Sequence, residues 1–221
     1  LGVAINVDGD RVGFVCADGT PLSEEYTFPL VARQVMKRNP GRIVTNLSTS
    51  SMVDRVAQEF DQPVIRTFVG EGYVVDRAIA EGATVVGEGC GGVALLPHST
   101  TFDGLLTMGV VLESMAASGK RLDELADSLP KAYMRKGEIS LSPDLTYRVL
   151  QGFRTLYAER SPDCTDGVRV EWDDAWLHVR GSNTEPLLRV IAEADTADWA
   201  DALFDDAMGY ARRLAARHEG A

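Results

Sequence analysis

The sequence predicts an α/β layer with a largely parallel sheet over residues 2–127, followed by a small α+β domain. The first part is predicted by short β-branched runs that alternate with stretches of helical periodicity. Those runs are continuously apolar, which is typical of strands covered on both faces. The second part is predicted by a change of order to a strand, a helix, two or three strands and a long helix. That order favours helices packed on one side of an antiparallel sheet.

Turn and cap residues divide the first part into elements. The strand-like run at residues 12–16 ends at the turn dipeptide Asp18-Gly19. Ser23 suits a helix N-cap, Pro40-Gly41 suits a helix stop, and Gly119 ends a later helix. The predicted strands are residues 12–16, 42–47, 63–69, 84–87 and 93–96, and the predicted helices are 23–40, 50–60, 72–81 and 103–118.

The second part follows a short predicted helix at residues 122–129. Residues 131–137 are basic and lack periodicity, so we place a domain boundary there. Beyond it, the predicted strands are 138–141, 168–172, 176–180 and 187–194, and the predicted helices are 143–160 and 195–218.

Composition narrows the class of protein. The 221 residues include 33 acidic and 22 basic side chains, a formal net charge of −11. This balance argues against nucleic-acid or anionic-membrane partners, because both need basic surface. No apolar run approaches the roughly 20 residues that span a bilayer. Three scattered cysteines argue against a disulfide framework or a thiolate zinc site. We expect a soluble, cytoplasmic chain.

The first loop with candidate chemistry is residues 6–11, which read Asn-Val-Asp-Gly-Asp-Arg. Alternating oxygen-bearing side chains on a loop between strands can converge on a hard divalent cation. Arg11 beside them can hold a phosphate oxygen. The alternative is an acidic hairpin turn, since Asp-Gly is common in hairpins.

The second candidate is the glycine-rich loop at residues 87–92, which contains one carboxylate, Glu88. It does not fit G-x-G-x-x-G, and no helix follows it directly, so it is not a dinucleotide loop. Glycines allow a ligand to approach the backbone, and Glu88 can accept hydrogen bonds from hydroxyls. Cys90 has no neighbouring base in the sequence, which favours a packed thiol over a nucleophile.

The third candidate is residues 180–186, between two predicted strands. This stretch combines a guanidinium, two hydroxyls, an amide and backbone N–H groups, which together can bind an anion. The alternative is a polar hairpin turn.

Taken in this order, the loops resemble those of the α-D-phosphohexomutase superfamily, which includes phosphomannomutases, phosphoglucomutases and phosphoglucosamine mutases. Residues 8–11 (D-G-D-R) resemble its metal loop, 87–91 (G-E-G-C-G) its sugar-recognition loop, and 180–186 (R-G-S-N-T-E-P) its phosphate-binding loop. Residues 69–74 (V-G-E-G-Y-V) and 101–106 (T-F-D-G-L-L) are similar to further family signatures. The resemblance covers essentially the whole chain.

The resemblance implies a four-domain enzyme around a deep cleft. Residues 1–20 are then the tail of domain 2, residues 21–130 a three-layer α/β/α domain 3, and residues 131–221 the α+β domain 4. The chain opens on Leu1 inside a strand-like run and contains no T-x-S-H-N-P-like string. We therefore expect that domain 1 and most of domain 2, with the phosphoserine, are missing N-terminal domains of the same protein. No catalytic residue is expected in the chain itself, which is expected to be inactive alone.

For the parent protein, the resemblance implies reversible phosphoryl transfer between C1 and C6 of a hexose phosphate through a bisphosphate intermediate, with Mg²⁺ as cofactor. Asp8, Asp10 and Asn6 are the implied metal ligands, and Arg11 supports the phosphoserine side of the site. The implied substrate-binding residues are Glu88, Cys90, Arg180, Ser182, Asn183 and Thr184.

Three positions depart from the family patterns. Asn6 replaces the first acid of D-x-D-x-D-R, which removes one negative charge and lowers the expected affinity for Mg²⁺. In the sugar loop, usually G-E-x-S-G-H, Cys90 replaces the serine and Gly92 the histidine. Two hypotheses therefore stand: a metal-dependent mutase, which is an intramolecular phosphotransferase, or a non-catalytic relative that binds sugar phosphates or has a structural or regulatory role.

Overall fold

The computed structural model describes residues 1–96 and 98–219, and the chain divides after Lys131 into two compact units. In the first unit the strands are β1 (Gly2–Ile5), β2 (Val12–Val15), β3 (Ile43–Asn46), β4 (Val64–Thr67), β5 (Val85–Gly87) and β6 (Val93–Leu95), and the helices are α1 (Thr27–Met36), α2 (Met52–Gln58), α3 (Glu71–Glu81), α4 (Gly104–Ser118) and α5 (Leu122–Asp127).

A four-stranded sheet forms the middle layer of the first unit, in the order β4-β3-β5-β6. β3 pairs in parallel with both β4 and β5, and β6 closes the sheet antiparallel to β5. Ile43 faces the core made with α1, α2, α4 and α5, whereas Val44 on the opposite face packs with Val74 and Ala78 of α3. Helices therefore cover both faces of the sheet, and the predicted three-layer α/β/α domain is confirmed.

Capping residues set both ends of α4. The Asp103 carboxylate accepts a hydrogen bond from the Leu106 N–H at the start of α4, and the left-handed Gly119 ends that helix. The predicted helix at residues 23–40 begins differently. Ser23 precedes a short 3-10 turn, Glu24–Tyr26, without capping it, and α1 begins only at Thr27.

The β1–β2 hairpin forms a separate two-stranded antiparallel sheet, with Gly2 opposite Val15 and Ile5 opposite Val12. The connection between its strands is the loop at residues 6–11. The first candidate loop is therefore the tip of a hairpin.

The second unit is an antiparallel sheet with two helices on one face. Its strands are β7 (Tyr133–Ser140), β8 (Val168–Glu171), β9 (Ala175–Gly181) and β10 (Leu187–Ala194), and its helices are α6 (Pro143–Leu156) and α7 (Ala197–Glu219). The strand order is β7-β10-β9-β8. Val149 and Phe153 of α6 and Leu203 of α7 share one core with the alternate residues Val168, Val170, Leu177 and Val179. The predicted small α+β domain is confirmed.

The first strand of that unit begins earlier than the predicted residue 138. Residues 131–137 look like a basic linker, yet β7 begins at Tyr133 and pairs with β10 along its whole length. β7 is an edge strand, where charged side chains are common because they oppose pairing with another chain. Gly137 faces the core, because a Cβ there would lie 2.5 Å from the Phe204 ring. The basic residues therefore mark a sheet edge. No helix in residues 1–96 and 98–219 is long and apolar enough to cross a membrane.

Candidate functional site

Three separated segments of the first unit meet through backbone hydrogen bonds. Arg11 at the end of the hairpin loop forms an isolated antiparallel bridge with Gly92 in the glycine-rich loop. The Val12 N–H donates to the Gly91 carbonyl at 3.3 Å. At the start of α4, the Gly104 N–H donates to the Gly9 carbonyl at 2.8 Å. The fold thus brings together the first two candidate loops, which are about 80 residues apart in sequence.

Packing explains two glycines of the second loop. Gly91 has φ +85°, and a Cβ there would lie 2.6 Å from the Val12 carbonyl oxygen. A Cβ on Gly92 would lie 2.3 Å from the Phe102 ring. A histidine at position 92, as in the family pattern, therefore cannot coexist with Phe102 in its present position.

Glu88 is a buried carboxylate with one oxygen fixed by the protein. Its Oε1 accepts a hydrogen bond from the Asn46 amide at 2.7 Å and another from the Gly70 N–H at 2.8 Å. Its Oε2 accepts a weak hydrogen bond from the Cys90 thiol, whose Sγ lies 3.8 Å away. The Glu88 carboxylate is therefore held in one orientation beside the Cys90 thiol.

The Cys90 thiol is suited to donating a hydrogen bond. Burial, followed by the negative charge of Glu88, raises the pKa of Cys90 to about 11. The thiol therefore stays protonated at neutral pH, which does not suit a nucleophile. This agrees with the packed, weakly polar cysteine that the sequence favours.

Sequence reasoning missed the polar residues that support this carboxylate. Asn46 ends β3, and its Oδ1 accepts hydrogen bonds from the Ser48 N–H at 2.7 Å and the Thr49 hydroxyl at 3.0 Å. The Thr49 hydroxyl in turn accepts from the Gly89 N–H at 3.1 Å. The available signal was a polar residue at the carboxyl end of a buried parallel strand, where α/β sheets place their ligands.

The hairpin loop brings Asn6, Asp8 and Asp10 together, but the Asn6 amide faces the two carboxylates with its nitrogen. Asn6 Nδ2 donates to Asp8 Oδ1 at 3.3 Å and to Asp10 Oδ1, while Asn6 Oδ1 accepts from the Arg11 N–H at 3.0 Å. As folded, the loop does not offer three oxygen ligands to a divalent cation. Within the described residues, no group of three or more histidine, cysteine or acidic side chains is placed to hold a metal ion.

Arg11 is the exposed cation of this loop. Its Nε lies 3.6 Å from Asp10 Oδ1, and 48% of its side chain is exposed. Because this guanidinium is exposed and its ion pair with Asp10 is long, it can still bind an anion.

In the second unit, Arg180 is buried at the end of β9. Its Nε donates to Asp166 Oδ2 at 3.1 Å, and its Nη2 donates to Asn183 Oδ1 at 3.1 Å. Ser182 is half-buried, and Asn183 and Thr184 are exposed on the connection to β10. Arg180 therefore lies beneath a polar loop tip that includes the other predicted phosphate-binding residues.

Asp166, which sequence reasoning missed, also holds a buried histidine. His178 Nε2 lies 2.6 Å from the Asp166 carbonyl oxygen, and burial lowers the pKa of His178 to about 4. The next residue, Gly167, has φ +89°, and a Cβ there would lie 2.3 Å from the Val179 carbonyl oxygen. Because Gly167 has no side chain, its backbone can lie close to Val179 of β9, and this places the neighbouring Asp166 against that strand.

Comparison with known proteins identifies two matching family models. "Phosphoglucomutase/phosphomannomutase, alpha/beta/alpha domain III" matches residues 23–133, and "Phosphoglucomutase/phosphomannomutase, C-terminal domain" matches residues 143–209. A phosphoglucomutase/phosphomannomutase of Thermococcus kodakarensis is 36% identical over 205 residues, which is 90% of this chain and 44% of that protein. The chain therefore spans about half the length of the curated relatives it matches.

Two solved structures share the fold of this chain. A phosphoglucomutase/phosphomannomutase family protein from Burkholderia thailandensis has a TM-score of 0.79 and 29% identity, covering 97% of this chain and 46% of that one. An Aspergillus fumigatus N-acetylphosphoglucosamine mutase, solved in complex with GlcNAc-6P and magnesium, has a TM-score of 0.63 and 14% identity. It covers 96% of this chain and 48% of that one, and at this identity the likeness concerns the fold alone.

Proposed function

The chain belongs to the phosphoglucomutase/phosphomannomutase family, and we propose that it supplies the sugar- and phosphate-binding part of a phosphohexomutase. The reaction is the interconversion of a hexose 1-phosphate and a hexose 6-phosphate. A phosphoryl group passes from an enzyme phosphoserine to one end of the sugar, which breaks the serine O–P bond and forms a sugar O–P bond. The resulting bisphosphate then reorients in the site. Its other phosphoryl group returns to the serine, which breaks that sugar O–P bond and forms the serine O–P bond again.

The single observation that carries the proposal is the fixed Glu88 carboxylate. Its Oε1 is held by Asn46 and Gly70, so its Oε2 can accept a sugar hydroxyl without first losing rotational freedom. The Cys90 thiol is the present donor to Oε2, so a sugar hydroxyl that donates to Oε2 replaces it and leaves the S–H group able to turn toward a neighbouring sugar oxygen.

We assign the non-reacting phosphate to the 180–186 loop. Ser182, Asn183 and Thr184 lie on its half-buried to exposed surface, where hydroxyl, amide and backbone N–H groups can donate to a phosphate. The Arg180 guanidinium beneath them is shared between Asp166 and Asn183, so it orients the loop through Asn183. The chain's net charge of −11 does not oppose this, because an anion responds to the local field of the loop. Arg11 faces the reacting phosphoryl group in this proposal.

Magnesium remains a prediction, and the Aspergillus enzyme that shares this fold was solved with that ion. Asp8 and Asp10 are the two carboxylates of the implied loop, but the Asn6 amide nitrogen lies between them, so they offer a divalent cation only a weak site. When bound, such an ion offsets the negative charge that gathers in phosphoryl transfer. The cytoplasmic location also remains a prediction.

Calorimetric titration of the 221-residue chain with glucose 1,6-bisphosphate and with mannose 1-phosphate tests the binding assignment. Glu88→Gln should weaken binding about tenfold or more, since hydrogen bonds to charged groups contribute about 1.5–3 kcal/mol. Glu159→Gln removes the same charge from an exposed position and should leave binding unchanged. Equal effects of the two substitutions, or no effect of either, would exclude Glu88 as the sugar ligand.

A second candidate function is binding of sugar phosphates without catalysis, favoured by the departures at Asn6, Cys90 and Gly92. A coupled mutase assay separates the two. Turnover by the full-length gene product but not by the 221 residues supports the mutase. Turnover by the 221 residues alone would overturn the assignment of the phosphoserine to another part of the protein. Hexose phosphate binding by the full-length product without turnover supports the non-catalytic function.

A further inference from the structure

The loop at residues 6–11 is organised around the side-chain amide of Asn6. Asn6 Oδ1 accepts from the Arg11 N–H at 3.0 Å, and Nδ2 donates to both Asp8 Oδ1, at 3.3 Å, and Asp10 Oδ1. The reverse orientation of the amide would point an N–H group at the Arg11 N–H and an oxygen at the two carboxylates. The hydrogen bonds therefore fix which end of the amide faces the acids.

The two carboxylate oxygens converge on a single atom, Asn6 Nδ2, between them. Convergence of carboxylate oxygens on one point is the arrangement that hard divalent cations require. Here an amide nitrogen with two N–H donors occupies that point. We propose that the Asn6 amide takes the place of a divalent cation in this loop, so that the loop keeps its conformation without a metal and binds Mg²⁺ only weakly.

Charge and competition both lower the affinity of this loop for a cation. Asn6 is neutral, so the loop supplies two carboxylates where the family pattern has three. A cation between Asp8 and Asp10 must displace Nδ2 and break both of its hydrogen bonds. The Arg11 guanidinium, 3.6 Å from Asp10, already supplies positive charge to one of the two acids. Fewer anionic ligands and an internal competitor both weaken binding.

Backbone contacts show that the loop has supports other than a metal. The Gly9 N–H donates to the Asn6 carbonyl at 3.1 Å, and the Asn6 N–H donates to the Arg11 carbonyl at 3.2 Å. The Gly9 carbonyl also accepts from the Gly104 N–H at 2.8 Å, which ties the loop to the start of α4. The amide of Asn6 then fixes the side chains on a backbone that is already held.

Calorimetric titration with MgCl₂, without any sugar, tests the proposal with the wild-type chain and Asn6→Asp. The substitution removes both N–H donors and adds a third carboxylate, so Asn6→Asp should bind Mg²⁺ at least about tenfold more tightly. Its melting temperature should rise with Mg²⁺ concentration, whereas that of the wild type should not. Asn39→Asp makes the same change at an exposed position of the first unit and should behave as the wild type.

Wild-type binding tighter than micromolar, or no gain in Asn6→Asp, would overturn the proposal. Asn6→Ala keeps the test decisive if the aspartate variant does not fold. Without the amide, the Arg11 N–H loses its acceptor, so its hydrogen exchange should be faster than in the wild type, and unchanged exchange at Arg11 would contradict the bridging role. Because no substrate is present, these results stand or fall independently of the mutase proposal.

Discussion

The glycine-rich loop of the first unit and the 180–186 loop of the second each present one buried charged side chain, but different forces fix them. Glu88 is held by neutral N–H donors from Asn46 and Gly70, within a loop whose glycines fit against backbone and an aromatic ring. Arg180 is held by an opposite charge, Asp166, with only 5% and 15% of the two side chains exposed. The first loop is shaped by sterics and the second by electrostatics. The second should therefore respond strongly to charge and pH, and the first to side-chain volume.

The largest expected effect is that of Arg180→Ala in the second unit. It removes the guanidinium from the half-buried Asp166 carboxylate, and breaking a largely buried pair in this way costs about 3–5 kcal/mol. All three tryptophans, Trp172, Trp176 and Trp199, lie in the second unit, so urea unfolding followed by tryptophan fluorescence reports on that unit.

Arg189→Ala is the matched control for this prediction. Arg189 pairs with Glu185 at 3.6 Å in the same region, but 45% and 59% of the two side chains are exposed. Exposed pairs contribute at most about 1 kcal/mol. If both substitutions destabilise the unit equally, the buried pair does not fix this loop.

The next largest effect is a pH dependence that comes from His178. Its pKa is lowered to about 4 in the folded state, mainly by burial, against about 6.5 for an unfolded histidine. The unfolded state therefore binds a proton first, and stability present above pH 6.5 is lost as pH falls toward 4. The total loss is about 3 kcal/mol, at up to about 1.4 kcal/mol for each pH unit.

His178→Gln isolates this contribution. Glutamine keeps an N–H donor for the Asp166 carbonyl but does not titrate, so the other acid-sensitive groups remain common to both proteins. The fluorescence-detected free energy of unfolding should fall more steeply between pH 7 and pH 4 in the wild type than in the variant. Parallel pH profiles would show that His178 does not contribute.

The same comparison shows what the sequence could predict. The three loops were recognisable because their chemistry lies in contiguous residues, such as 87–91 and 180–186. The residues that support these loops were not recognisable, because each lies outside its loop in sequence. Phe102, ten residues after Gly92, leaves no room for a side chain at position 92, and Asp166, fourteen residues before Arg180, forms the ion pair with it.

The three-layer order and the α+β order were predictable because hydrophobic periodicity is local. The start of β7 was not, since residues 131–137 read as basic and irregular until their pairing with β10 is known. The orientation of the Asn6 amide was equally hidden. It is set by the Arg11 N–H, and that contact exists only once the hairpin has formed.

The smallest expected effect, and the one that tests the steric half of the comparison, is that of Gly92→His. Its Cβ would lie 2.3 Å from the Phe102 ring, so the substitution overpacks a site beside the Arg11–Gly92 bridge. Overpacking of this kind costs about 1–3 kcal/mol. Calorimetry should show a lower melting temperature, with hydrogen exchange faster around Val12 and Val93 and tryptophan fluorescence unfolding unchanged.

Two further variants decide whether Phe102 is the cause. Gly109 is exposed on α4 and a Cβ there meets nothing within 4 Å, so Gly109→His should not destabilise the chain. Combining Gly92→His with Phe102→Ala opens the space that the imidazole needs, so the double variant should lose less stability than the sum of the single ones by about 1 kcal/mol or more. Strict additivity would mean that something other than the Phe102 ring keeps position 92 as glycine. A sub-additive result would instead show that the family's histidine and this aromatic ring are alternative fillings of one space.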